Sequence, residues 1–235
     1  MKIFQIRLFF LLSAGFILFT IIGTLSHEFG HYIVAKMLGY NTEIHYGYTT
    51  FQNGEDEEIK KINVRRHREI YLRKEYPEKP QYEALVNSTD KKDRIILMGG
   101  PLQTIITGTV GLILLIVYRR NFYSATTLNA RKWLLIFISL FWLRQVANFA
   151  GTLIISFLTG KKDFKSDEIL LANYFGLNFL SLSAITGIIG LAVSCFVIFN
   201  FIPVTQRKTF IAAGFTGGIT GFILWLYILG PIVLP

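Results

Sequence analysis

The chain has 235 residues, 52% of them hydrophobic and 15% aromatic, and its 24 Lys and Arg against 15 Asp and Glu give a formal charge of +9. A mean hydropathy of +0.46 belongs to a polytopic membrane protein rather than an ordinary soluble domain. The basic residues flank apolar runs and form no stripe interleaved with aromatics, so nucleic-acid binding is not supported. The single cysteine, Cys195, leaves no intrachain disulfide and no Cys-based metal site.

Five apolar runs read as membrane spans: Leu8 to Leu38, Ile95 to Tyr118, Trp133 to Leu158, Leu180 to Pro203 and Phe210 to Leu234. They predict an all-α polytopic membrane protein of about five transmembrane helices, with a small β-hairpin in the polar loop after the first span. The organisation expected is a first transmembrane helix over 1–40, a polar extramembrane loop over 41–94, the second and third spans over 95–158, a loop and helix start over 159–179, and the fourth and fifth spans over 180–235.

Met1 to Arg7 is a short basic leader. The first run covers 31 residues, too many for a vertical crossing, so it must tilt or carry its last turns beyond the membrane. It lacks a small-residue cleavage site after a short apolar core, which predicts a retained span rather than a removed signal peptide. Within it stands His27-Glu28-Phe29-Gly30-His31. On a helix His27 and His31 lie four apart on one face and can reach one ion, with Glu28 beside them to hold a water, which is the HExxH zinc pattern. Ionisable groups at membrane depth cost a few kcal/mol each and persist where they face a protein interior and have a task. The competing reading is a buried cluster that only joins helices.

Beyond Gly39 and Asn41, which end the helix, Glu43 to Phe51 alternates as an extended strand and Asn53-Gly54 signals a hairpin turn. Glu55 to Arg94 holds ten acidic and eleven basic residues with Pro77 and Pro80 limiting helix length, and reads as a solvated cap or mobile loop. His45 and His67 in this region read as surface imidazoles, with no partner at ligand spacing.

The second span opens on Gly99-Gly100-Pro101, a bend that lines a cavity or simply kinks a packed helix. In the third span Arg144, Gln145 and Asn148 should point inward; Arg144 either neutralises a carboxylate or oxyanion near the site or pairs structurally. Ser166 is a predicted N-cap, and Asp167 and Glu168 suit a first helical turn without any metal. Zinc, however, needs a third protein ligand if a fourth position is to stay open to water. Counting crossings places Asp163, Asp167 and Glu168 on the same side as HExxH, and Asp167 is preferred because the start of an ordered helix holds a ligand rigidly. The fifth span carries the small-xxx-small pairs Gly214/Gly218 and Gly217/Gly221, which suit close helix contact.

These residues resemble the site-2 protease family of intramembrane zinc metalloproteases: HExxH in the first span, a polar loop with hairpin character after it, and Gly100-Pro101 opening the second span. The resemblance covers about three spans of five. Gln103-Thr104 stands where the family usually has Asn after Gly-Pro. Phe199-Asn200-Phe201-Ile202-Pro203 holds the Asn-x-x-Pro half of the family's third-ligand motif, but Val204 to Phe210 has no Asp. The resemblance implies Zn2+ as cofactor, Glu28 as the catalytic base and His27 and His31 as ligands, as their spacing also does; Gly100 and Pro101 of its Gly-Pro motif, with the inward polar residues Arg144 and Asn148 of the third span, are the substrate-binding candidates. Asp167 as third ligand rests on the crossing argument. The activity implied is hydrolysis of peptide bonds in membrane-spanning or membrane-proximal segments, with a membrane-protein substrate, the lipid bilayer as surroundings and the cell membrane as location. An inactive relative, or a helix-packed scaffold or transporter, is the alternative. Orientation stays open: the dense basic flanks of the short loops put the leader side in the cytoplasm, whereas the family's usual cytoplasm-facing site puts it outside.

Overall fold

The computed structural model describes residues 4–123, 127–160 and 166–235. From Ile6 onward nothing breaks a helix, so α1 runs over Ile6–Met37 and is stopped at Gly39, whose φ of +82° is the left-handed conformation that glycine enters at least cost. At the α-helical rise its 32 residues extend about 48 Å, longer than a bilayer's hydrocarbon core.

The hairpin exists, but shorter than expected and turned elsewhere. Strands β1 (Asn41–Ile44) and β2 (Thr49–Gln52) are antiparallel, with Asn41 opposite Gln52 and Ile44 opposite Thr49, so the chain reverses over 45–48. Asn53-Gly54 is not the turn. The Asn53 side chain accepts from Asp56 N (2.9 Å) and the Asp56 carboxylate accepts from Asn53 N (3.0 Å), a capping box that starts α2 (Gly54–Tyr71).

The expected loop over 55–94 is likewise helical. After α2 the chain turns into α3 (Lys79–Val117), with Pro80 in its first turn, where a missing N–H costs nothing. Pro80 thus begins the second spanning helix well before Ile95. Arg66 grips Glu78 at 3.0 and 3.2 Å, Lys92 meets Glu55 at 2.7 Å and Gln81 meets Glu58 at 3.0 Å, while Ile62 is buried between the helices. Exposed ion pairs contribute about 0–1 kcal/mol each, so Ile62 and the continuity of α3 do as much as the charges to hold this cap.

Past α3 come a one-turn α4 (Arg120–Tyr123), then α5 (Ala130–Ser139) and α6 (Leu143–Thr159), joined through a 3₁₀ turn at Leu140–Trp142 into the third span. A short α7 (Asp167–Tyr174) precedes α8 (Ser181–Phe201). The last span is α9 (Val204–Ile223), a π-helical turn at Leu224–Leu229 and α10 (Gly230–Val233). Among the described residues, five helices are thus long and apolar enough to cross a membrane. Their outer faces carry exposed Phe10, Leu18, Ile113, Ile188 and Phe215, a surface suited to lipid, and the architecture is that of a multi-pass membrane protein.

Helix α1 lies between α9 and α3. Its leader-side half packs into an aromatic core where the Phe16 and Phe137 rings meet at 4.9 Å and Trp133 stacks on Phe210 at 5.5 Å. A Cβ on Gly217 would lie 2.4 Å from Ser13 O, and one on Gly221 2.9 Å from Ile17 Cα. One glycine pair is therefore consumed in packing α9 on α1, while Gly218 meets nothing within 4 Å. At the other end, Tyr46 N donates to Leu234 O (3.0 Å) and Trp225 Nε1 to Tyr46 O (2.7 Å), tying the hairpin turn to the end of the fifth span.

Candidate metal centre

His27, Glu28 and His31 are all buried, at 1, 5 and 7% exposure, farther along α1 than the residues of the aromatic core. Burial comes from α3. A Cβ on Gly30 would sit 2.4 Å from Gly99 O and one on Gly99 2.5 Å from Gly30 O, so the two backbones touch there. A Cβ on Gly100 would fall 2.4 Å from His31 Nε2 and 2.5 Å from His27 Nε2: the two ring nitrogens use the room this glycine leaves.

Helix α3 also sets the rings' proton positions. Pro101 has no N–H to close on Leu97, and one residue earlier the Ile96 carbonyl lies 2.8 Å from His31 Nδ1. A carbonyl only accepts, so Nδ1 carries the hydrogen, and this bond prevails over the longer 3.3 Å approach of Gly100 N to the same atom. The Thr104 hydroxyl donates to Gly100 O (3.1 Å) and accepts from His27 Nδ1 (3.0 Å). Both imidazoles therefore present an unprotonated Nε2 to the same point, the tautomer that metal-binding histidines need.

Asp167 arrives from the far side. Ser166 caps α7 by accepting from Ile169 N (3.4 Å), and the first-turn carboxylate places Oδ2 2.7 Å from His27 Nε2 and 3.3 Å from His31 Nε2. Among the described residues, His27, His31 and Asp167 are the one group of His, Cys, Asp or Glu whose ligand atoms lie close enough to hold a metal ion, all within 4.8 Å of one another. The donor set fits a cation: with both Nδ1 hydrogens spoken for, three lone-pair donors converge and would repel one another unless a proton or metal lay between them.

Glu28 is not part of this trio. The Thr49 hydroxyl of β2 lies 3.1 Å from Glu28 Oε2 and 3.0 Å from Glu28 O, so the hairpin positions the carboxylate beside the histidines. The charges acting on Arg144 are those of Glu28, Asp167 and Glu168, which puts the guanidinium on the site's third-span side.

Nothing matches this chain among protein-family models, curated proteins or solved structures.

Of the other expected site residues, Gly100 and Pro101 are buried beneath the histidines. Asn148 Nδ2 donates to Glu168 Oε1 (3.0 Å), which turns Glu168 toward α6 and away from the trio. Asp163 lies outside the described residues. His45 stacks on Tyr48 and His67 on Tyr71, neither of them part of the trio, and Asn200 donates to Phe196 O within its own helix. Gln103 reaches Ser26 and Thr107, joining α1 to α3. Thr104, Thr49 and the Ile96 carbonyl escaped the sequence reading. Thr104 alone left a trace there, one helical turn after Gly100.

Thr104→Val keeps the shape and removes the acceptor, leaving the buried His27 Nδ1 hydrogen unpaired. Metal affinity should fall by about 10–100-fold, the usual scale for losing a partner behind a ligand. Competition with a chromophoric chelator measures it, and unchanged affinity would show that Thr104 does not fix the ring.

Proposed function

We propose that the protein is an intramembrane zinc metalloprotease that hydrolyses peptide bonds in membrane-spanning or membrane-proximal protein segments, as its resemblance to the site-2 protease family implies. The observation that carries this reading is the convergence of His27 Nε2, His31 Nε2 and Asp167 Oδ2 beside the Glu28 carboxylate, inside a chain of five apolar helices. His27, His31 and Asp167 would hold the zinc. Bound there, zinc supplies Lewis acidity and a water of lowered pKa.

The chain's own groups account for the proton. Glu28 accepts one from the attacking water and delivers it to the leaving amide nitrogen, with Thr49 steadying Oε2 so that the other carboxylate oxygen faces the reaction. Arg144 offsets the negative charge of Glu28, Asp167 and Glu168 in a setting where uncompensated carboxylates are expensive. A helical substrate hides its carbonyls in its own hydrogen bonds, so the scissile segment must be extended. Among the described residues β2 has one strand neighbour, β1, and an added strand would pair with its other edge at the level of Glu28.

The test is metal removal. Protein stripped with a high-affinity chelator should lose cleavage of a reporter transmembrane segment and regain it with about one equivalent of zinc. Full activity of verified metal-free protein would refute the reading.

A further inference from the structure

Behind β2, between α2 and α3, lies a cleft of about 450 Å³ lined by Phe51, Asp56, Ile59, Val86, Asp90 and Asp93 together with Gln52, Lys60 and Thr89. Its three carboxylates are part-buried and face one lining cation, Lys60. The neighbouring Lys92 is held by Glu55 at 2.7 Å. Thr89 is 9% exposed and its Oγ1 is buried without a hydrogen-bond partner among the described residues, as is Asp93 Oδ1. Buried polar groups are rarely left unpaired, so two of them together with carboxylates point to a donor that belongs there. The electrostatics agree: burial, followed by the charges of Asp93, Asp56 and Glu55, pushes the nearby Tyr40 hydroxyl up to about 12.

We propose that this cleft is a specificity pocket for a basic side chain, Lys or Arg, of the bound polypeptide. The walls suit that occupant better than a metal ion. No set of three ligand atoms closes here to within 4.8 Å as it does at His27, His31 and Asp167 among the described residues. Phe51, Ile59 and Val86 offer apolar surface to a methylene stem, while the carboxylates and Thr89 Oγ1 offer acceptors to its cationic head. The position follows from β2. Thr49 touches Glu28 and Gln52 lines the cleft, three residues along the same strand, which is about 10 Å at the strand rise. A chain paired along β2 with its scissile bond at Glu28 would carry a side chain about three residues away into the carboxylates. Only the identity of the occupant as a substrate rests on the protease reading; the pocket's preference for a cation does not.

Binding tests it without catalysis. The probes are fluorescent peptides with one apolar membrane-spanning segment and an extended flank carrying Lys, norleucine or Glu at a single position, moved one residue at a time. They are titrated against purified Glu28→Gln protein in micelles. At one register the Lys peptide should bind at least about tenfold tighter than norleucine, with Glu weakest. Asp90→Asn with Asp93→Asn, which keeps the shape, should erase that preference while leaving norleucine affinity and zinc content unchanged. Equal affinity for Lys and norleucine at every register, or a Lys preference that survives the double substitution, would overturn the proposal. So would stoichiometric binding of calcium, with no peptide present, that is lost in the same variant, since it would assign the carboxylates to a metal. If wild-type protein cleaves nothing yet the Lys preference holds, the protease reading fails and the pocket stands.

Discussion

Glu28→Gln should leave the protein folded and zinc-loaded and lower cleavage of a membrane-segment reporter by about two orders of magnitude or more, the scale of a positioned acid–base group. The substitution keeps the volume of a side chain that is 5% exposed, and its amide oxygen can still accept from Thr49, so packing against β2 is retained. Glu28 lies outside the trio that would hold the metal, so zinc content should not change. What disappears is the group able to take a proton from water and return it to the amide nitrogen. An inactive relative or a scaffold makes the opposite demand, because Glu28 would then be only a buried anion near Arg144, and neutralising it should alter thermal stability and nothing else. The decisive comparison is cleavage rate, zinc per chain and melting temperature on the same preparation. A wild-type cleavage rate in that sample would remove Glu28 from the chemistry.

The members of the group that could hold a metal ion were legible for different reasons. HExxH declares itself locally, since four residues on a helix is a geometric statement that needs no tertiary information. Asp167 is 136 residues from His31 in sequence and became a candidate only by counting membrane crossings, which works because a spanning helix has two ends and no other exits. What failed was punctuation. Asn53-Gly54 carries a turn signal, but the same Asn side chain is an equally good N-cap, and Asp56 three residues on decides for the helix. Pro80 was read as a helix limit although proline at the first helical turn opens a helix, and α3 runs from there through Pro101 into the membrane. Gly100 illustrates a deeper limit. Its spacing from Pro101 says that the backbone can come close, and only the packed structure says what comes close: two imidazole nitrogens.

His27→Ala and His31→Ala should each weaken zinc binding by more than about 100-fold, beyond what losing a partner behind a ligand costs. Asp167→Asn should weaken it less, because the amide keeps an oxygen donor at the same place while giving up the charge. The order follows from the site's construction. Each imidazole is locked at Nδ1, by Ile96 O for His31 and by Thr104 for His27, so no other rotamer of the remaining ring can replace the missing Nε2. Thermal unfolding gives a readout that does not depend on cleavage. A ligand that binds only the folded state stabilises it by about 2.7 kcal/mol at a hundred times its dissociation constant, so wild-type protein should melt at a higher temperature as zinc is added. The histidine variants should show no shift at the same zinc concentration, and Asp167→Asn a shift only at higher concentration. A zinc-dependent shift of wild-type size in the His27→Ala, His31→Ala double variant would place the metal elsewhere in the chain and dissolve the site, whatever its activity.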